Sequence, residues 1–255
     1  MAKGFKVSGT TRDAAKAKRL EALGINIREM PDAGVTHILS SIPPQEIGDI
    51  VLSLIPESRI LPPYLGYLST TGVYGDWSGE WVDEASELRP NNARLQRRVD
   101  AENAWRARGG HVFRLAGIYG PTRSAIDDIR EGTARRIDKP NQVFSRIHAD
   151  DIAQVVVASM LQPNPANVYN VCDDEPAPAQ VVVEYGCKLL GVEPPPLIPF
   201  ESAEMSPMGR EFYAANRRVN NDKIKCELGV ELLYPTYREG LAQCLPKEED
   251  DQMTR

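Results

Sequence analysis

Hydroxyls, arginines and one histidine are placed where they could do chemistry in this 255-residue chain. Paired hydroxyls close apolar runs: Thr10-Thr11 after Phe5-Lys6-Val7, Ser40-Ser41 after Ile38-Leu39, and Thr70-Thr71 after Tyr67-Leu68. A hydroxyl can orient a carbonyl oxygen but is too weak a base to act alone. Arg94 and Arg98 stand one helical turn apart and share a face. That face offers a cationic site to an anionic ligand, or is solvated and paired with Asp100 or Glu102. Neither can be a general acid, because a guanidinium stays protonated in proteins. Arg123, Arg217 and Arg218 could meet a substrate phosphate or simply be exposed. His148 beside Asp150 and Asp151 invites a catalytic reading, but carboxylates there also suit the positive end of a helix. Cys172, Cys187, Cys226 and Cys244 are widely spaced, without a CxxC pair or a nearby His cluster, so no metal site is expected.

Alternating strands and helices must position these groups. The pattern predicts strands over Phe5–Thr10, Ile25–Ile27, Thr36–Ile42, Tyr64–Ser69, His111–Leu115, Val143–Ile147 and Val168–Val171. Helices are expected over Arg12–Leu23, Asp49–Ile55, Asn91–Arg108, Asp150–Leu161 and Ala179–Leu190. The proline-rich stretch Glu193–Pro199 reads as a loop, the end of Met1–Gly4 as the end of a helix, and Lys247–Asp251 as a frayed charged tail. Single helices between strands imply right-handed crossovers and a parallel sheet, so the fold class is α/β. Ligands bind at the carboxyl edge of such sheets, which is where Ser40, Ser41 and Ile42 fall. Strand termination by Pro43 explains the same residues.

Composition narrows the partners. Hydrophobic residues are 42% and charged residues 26%, which is globular. The net charge of −6 argues against nucleic acid. No apolar run reaches the ~18 residues of a membrane span, and Met1–Gly4 is too short and polar for a signal peptide. Widely spaced thiols suit a reducing compartment, so a cytoplasmic location is expected. The expected partner is a small molecule, and a homo-oligomer is compatible with the chain.

Taken together, five segments resemble one family. They are Leu68-Ser69-Thr70-Thr71-Gly72-Val73-Tyr74-Gly75, Phe113-Arg114-Leu115-Ala116-Gly117-Ile118-Tyr119-Gly120-Pro121, Arg146-Ile147-His148-Ala149-Asp150-Asp151-Ile152-Ala153, Tyr169-Asn170-Val171-Cys172-Asp173 and Arg218-Val219-Asn220-Asn221-Asp222-Lys223-Ile224. In order and spacing they are similar to the extended short-chain dehydrogenases/reductases, the NAD-dependent epimerase/dehydratase group. The resemblance implies a Rossmann-like doubly wound core over 1–117 and 143–172, a small substrate lobe over 118–142 and 173–245, and a tail over 246–255. It implies that Thr70, with Thr71, holds the reacting substrate oxygen, and that Leu115, Ala116, Gly117 and Ile118 meet the nicotinamide. The first of those runs is also ordinary core. Arg12, with Thr10 and Thr11, would offer donors to the 2′-phosphate of NADP, with NAD the alternative cofactor. An exposed arginine at a helix start is the plainer account of Arg12. Substrate contacts would come from Arg94, Tyr74, Arg123 and His148, although the family's use of the His148 segment is mostly structural.

The chain departs from the pattern in two places. The family's Tyr-x-x-x-Lys pair aligns with Arg94 and Arg98. Arg98 could still hold a ribose hydroxyl, but the usual proton donor is gone. A first strand with a glycine-rich turn, the pyrophosphate site, is also missing. The strands Phe5–Thr10 and Thr36–Ile42 therefore lose a shared neighbour. Either coding sequence lies upstream, or the two strands pair directly in a compressed sheet. The expected function is NAD(P)-dependent oxidoreduction or epimerase-type chemistry on a hydroxyl or carbonyl of a small substrate, whether a sugar nucleotide or another anion. The alternatives are a non-catalytic dinucleotide-binding or sensor protein, and an inactive fragment.

Overall fold

A computed structural model of the protein describes residues 4–29, 34–55 and 62–246. The expected helix end at Met1–Lys3 and the charged tail from Lys247 lie outside the described residues. Along the chain run β1 (Ser8–Gly9), α1 (Ala14–Ala22), β2 (Asn26–Ile27), β3 (His37–Ser40), α2 (Ile50–Ser53) and β4 (Tyr64–Thr70). Then come β5 (Trp81–Val82), α3 (Ala93–Ala107), β6 (His111–Leu115), β7 (Gly117–Tyr119), α4 (Ala125–Arg130), β8 (Arg136–Asp138), β9 (Arg146–His148) and α5 (Ala149–Leu161). The chain closes with β10 (Val168–Val171), α6 (Ala179–Leu190), β11 (Leu197–Pro199), α7 (Pro207–Tyr213), β12 (Arg218–Val219), α8 (Asp222–Leu228) and α9 (Tyr237–Gln243).

The main sheet has the order β10-β6-β4-β3, and every pair in it is parallel. Side chains on a strand alternate between faces, so β4 and β6 feed two cores. Leu65, Tyr67 and Val112 pack with Trp105 of α3 and Leu52 of α2 on one face. Leu68, Phe113 and Leu115 pack with Val155 and Val156 of α5 and Ile224 of α8 on the other. Helices on both faces make this the doubly wound arrangement that the resemblance implies. No helix among the described residues is long and apolar enough to cross a membrane.

The compressed-sheet expectation is corrected at the amino end. Among the described residues β1 pairs with β2 alone and β3 with β4 alone, so the strands flanking the missing neighbour do not pair directly. Phe5 packs edge-on to His37 at 5.1 Å across this gap. With one partner of two residues, β1 shrinks to Ser8–Gly9 instead of spanning Phe5–Thr10.

Several short elements are not predicted by the pattern, while the strand expected over Val143–Ile147 is β9, displaced to Arg146–His148. β7 pairs with β9, β8 with β11 and β5 with β12. Two- and three-residue strands are too short to show a period of two, and β11 lies inside the proline-rich stretch expected as loop. Ser124 opens α4 with a capping box to Asp127. Ser206 and Pro207 start α7.

Candidate functional site

β4 leaves the sheet at Thr70. The Thr70 hydroxyl accepts the Gly72 N–H at 3.1 Å and caps the 3-10 turn Thr71–Tyr74. Gly75 ends that turn at φ 68° and ψ −147°, a backbone region nearly closed to other residues. A Cβ at Gly75 would stand 2.0 Å from the Arg89 carbonyl oxygen. So the Val73-Tyr74-Gly75 motif is first a demand of geometry: only glycine lets the chain turn away here.

A buried polar network ties this turn to the sheet. Ser69 Oγ donates to Glu102 Oε1 at 2.5 Å, and Arg114 forks the same carboxylate, with Nη2 to Oε2 at 2.8 Å. Arg114 Nη1 donates to the Tyr74 hydroxyl at 2.9 Å, which donates to Asn170 Oδ1 at 2.7 Å. The Arg114 and Glu102 side chains are 4% and 2% exposed. Burial pushes the Tyr74 phenol up to about 12, against the nearby Arg114 charge. These bonds connect α3, β4, β6 and β10 directly beneath Thr70.

Above the turn a cavity of about 270 Å³ opens at the carboxyl edge of β4 and β6. Thr70, Thr71, Arg94, Ala116 and Gly117 all line it, as the resemblance implies. Its other walls come from residues with no assigned role in the sequence reading or only a loose one: Asn91, Phe144, Ser145, Glu211, Phe212 and Arg217. The signal for the α7 wall was the Ser206-Pro207 helix start. Arg94 faces Glu211 at 3.4 Å, and Asn92 also donates to that carboxylate.

Several expected contacts are not brought to the cavity. Arg98 is absent from its walls, because Nη1 donates to the Tyr67 hydroxyl at 2.8 Å and the Leu68 carbonyl at 3.1 Å. The Tyr74 hydroxyl is consumed in the buried network. His148 is fully buried: Nδ1 accepts the Asp150 N–H at 3.2 Å and caps α5, while Nε2 meets Gln243 Oε1 at 3.2 Å. Arg123 is exposed in the turn between β7 and α4. Leu115 is core, and Ile118 is exposed on β7 outside the cavity lining. Thr10, Thr11 and Arg12 follow β1, and Ser40, Ser41 and Ile42 run off the end of β3, so both sets sit at strand carboxyl ends outside this cavity. No cluster that could hold a metal ion occurs among the described residues.

Asp173, whose N–H donates to the Arg146 carbonyl at 2.7 Å, is 1% exposed with Oδ2 unpartnered. Burial raises its pKa to about 8 despite the Arg146 charge. An unfolded Asp titrates near 3.9. Between about pH 4 and 8 the folded state therefore holds a proton that the unfolded state releases, and stability falls as pH rises through that window. Asp173→Asn should flatten this slope and make the variant the more stable protein at the alkaline end. Urea melts across the window check it; an unchanged slope would place the carboxylate in contact with water.

No protein-family model matches the chain. The 3-diazoavenalumate denitrifying reductase of a Streptomyces species is 29% identical over 147 residues, 52% of this chain. The chain spans 46% of that relative's length. Protein YeeZ of Escherichia coli K12 is 25% identical, with 92% of this chain and 89% of YeeZ covered. Among solved structures, a functionally unknown conserved protein from Silicibacter pomeroyi is 48% identical with a TM-score of 0.91, covering 95% of this chain and 90% of that one. Two more share the fold at a TM-score of 0.73. They are the human epimerase family protein SDR39U1 with NADPH (15% identical, 95% and 92% covered) and UDP-glucuronic acid 4-epimerase from Bacillus cereus with NAD (14%, 94% and 88%). Nearly half of the residues are identical over almost the whole of both chains, which leads to one assignment: the chain belongs to the family of the Silicibacter pomeroyi protein, and it has the fold of the extended short-chain dehydrogenases/reductases of the NAD-dependent epimerase/dehydratase group.

Proposed function

We propose that the protein is an NAD(P)-dependent oxidoreductase or epimerase-type enzyme acting on a hydroxyl or carbonyl of a small anionic substrate, with NADP the preferred cofactor. The observation that supports it is the meeting of Thr70, Thr71, Arg94, Ala116 and Gly117 around one cavity. The reductase name of the Streptomyces relative agrees in reaction class.

The residues fit the two ends of a nicotinamide dinucleotide. Gly117 presents backbone to the cavity, and a Cβ there would come within 3.3 Å of the Ser145 carbonyl. At the other end, Asp13 occupies the Ala15 and Lys16 amides of α1, so a phosphate there would be left to Arg12 and the Thr10 and Thr11 hydroxyls. The described residues offer no glycine-rich turn for the pyrophosphate between these ends.

When bound, the nicotinamide would supply or accept a hydride. Thr70 already accepts the Gly72 amide, which leaves its own O–H to donate to the substrate oxygen. Arg94 and Glu211 set a charge pair in the wall. Arg98 holds the β4 backbone instead of a ribose, as a positioning residue. With no tyrosine acid, the proton comes from solvent, and turnover is slow by the ~10²–10⁴-fold that general acid catalysis supplies. The engagement of Arg98 favours a second reading, a dinucleotide-binding sensor; hydride turnover separates the two.

Two substitutions test the proposal. Arg12→Ala should lower NADP affinity roughly 10–150-fold, the worth of a charged hydrogen bond to phosphate, with NAD affinity little changed. Calorimetric titration of both cofactors decides it, and equal losses would make Arg12 structural. Thr70→Ala should slow NADPH oxidation with carbonyl substrates by up to about tenfold, at unchanged cofactor affinity. An unchanged rate would remove Thr70 from the chemistry and favour the sensor.

A further inference from the structure

The cavity beside Thr70 contains a charge that the protein does not neutralise. Arg217 lines it just before β12. Its Nη1 donates to the Gly75 carbonyl at 2.9 Å, and its Nε is buried with no partner. Glu211, the carboxylate in the same wall, is already taken by Arg94 and Asn92. Asp76 acts on Arg217 only through space, and burial pulls the guanidinium down to about 10. Burying a cation without a counter-ion is costly, so the site gains from an incoming anion.

Much of the wall is apolar. Leu95, Val143, Phe144, Met208, Phe212 and Val219 line the same cavity, whose other charged residues, Arg94 and Glu211, pair with each other. The Phe144 and Phe212 rings stack at 4.6 Å and 8°. Met208 and Phe212 are 73% and 59% exposed, and exposed apolar side chains rimming a cavity mark a ligand surface. A cavity of about 270 Å³ has room for one ring with a short arm.

We propose that the cavity takes a small aromatic carboxylate, with its acid group on Arg217, its ring between Leu95 and the Phe144–Phe212 stack, and its reacting atom toward Thr70. A sugar nucleotide would need cations for two phosphates, whereas of the two cations lining this cavity Arg94 is paired with Glu211 and only Arg217 is left for an acid group. The inference names the substrate class of the enzyme proposed above and rests on that reading only for the role of Thr70.

Calorimetry without cofactor tests it, using trans-cinnamate, its uncharged amide and UDP-glucose. The acid should bind, and the amide should bind at least about tenfold more weakly, the worth of one charged hydrogen bond. Arg217→Gln should erase that preference and Arg217→Lys should keep part of it, with circular dichroism confirming that both fold. If the Gln variant does not fold, the acid–amide comparison on the unsubstituted protein decides. Equal binding of acid and amide, tighter binding of UDP-glucose, or no binding of the acid at millimolar concentration would overturn the proposal. A parallel NADPH titration separates the two claims. Acid binding that depends on Arg217, with no NADPH binding, leaves this inference standing and removes the dehydrogenase. The reverse result removes only the aromatic acid.

Discussion

Glu102→Ala should lower the free energy of unfolding by about 3–5 kcal/mol, because it strands Arg114 as an uncompensated cation in the interior. The two side chains are almost wholly buried and joined by a forked contact, so solvent cannot take the place of the lost carboxylate. Ser69 loses its acceptor in the same step, and Tyr74 keeps a donor with no counter-charge behind it. Replacing both members, Glu102→Leu with Arg114→Met, should cost far less than the single change, since apolar pairs of similar volume often substitute for buried ions. Chemical denaturation of the three proteins measures this. A single-variant loss under about 1 kcal/mol would mean that water reaches Arg114.

Gly75→Ala should be comparably damaging, about 2–6 kcal/mol, for a reason that involves no charge. Its φ and ψ lie where a side chain adds about 1–3 kcal/mol of strain, and the 2.0 Å approach to the Arg89 carbonyl demands a backbone shift costing a similar amount. Because Gly75 ends the turn that Thr70 caps, the variant should lose ligand binding along with stability. Gly132→Ala is the control: it also has a positive φ, but nothing lies within 4 Å of the added carbon, so only the strain term remains. Equal losses at the two positions would rule out the carbonyl clash.

Long periodic segments were legible in the residues. The expected bounds of β6, β10 and α6 coincide with the structure. α3 begins two residues late because the Asn92 side chain caps it, accepting the Leu95 amide at 2.9 Å. At the site, position along a strand was readable and distance was not. Thr70, Thr71, Ala116 and Gly117 came from the resemblance, and the structure puts all four at the ends of β4 and β6 on the cavity. Arg94 and Arg98 share a helical face on paper, yet one reaches the cavity wall while the other folds back onto β4. Glu102 looked like a solvated partner for that face and is instead the buried anion of Arg114. Nothing local to Arg217 announces its place in the cavity, where it meets the turn at Gly75 and shares the wall with Phe144 and Ser145, all far away in sequence.

The separation of the β1–β2 pair from the main sheet bears on how any ligand spanning both is held. The pair is joined by bonds such as Asn26 N–H to the Val7 carbonyl and Arg28 N–H to the Gly9 carbonyl, and α1, which connects its strands, buries no residue. It can shift without breaking one rung of the β3-β4-β6-β10 ladder. If the pair does shift, a ligand that grips Arg12 and the cavity together binds only the fraction of molecules in which the two pieces are aligned. Its apparent dissociation constant is the intrinsic one divided by that fraction. Contacts that never touch the ligand, such as Phe5 against His37, then tune its affinity by setting the aligned population.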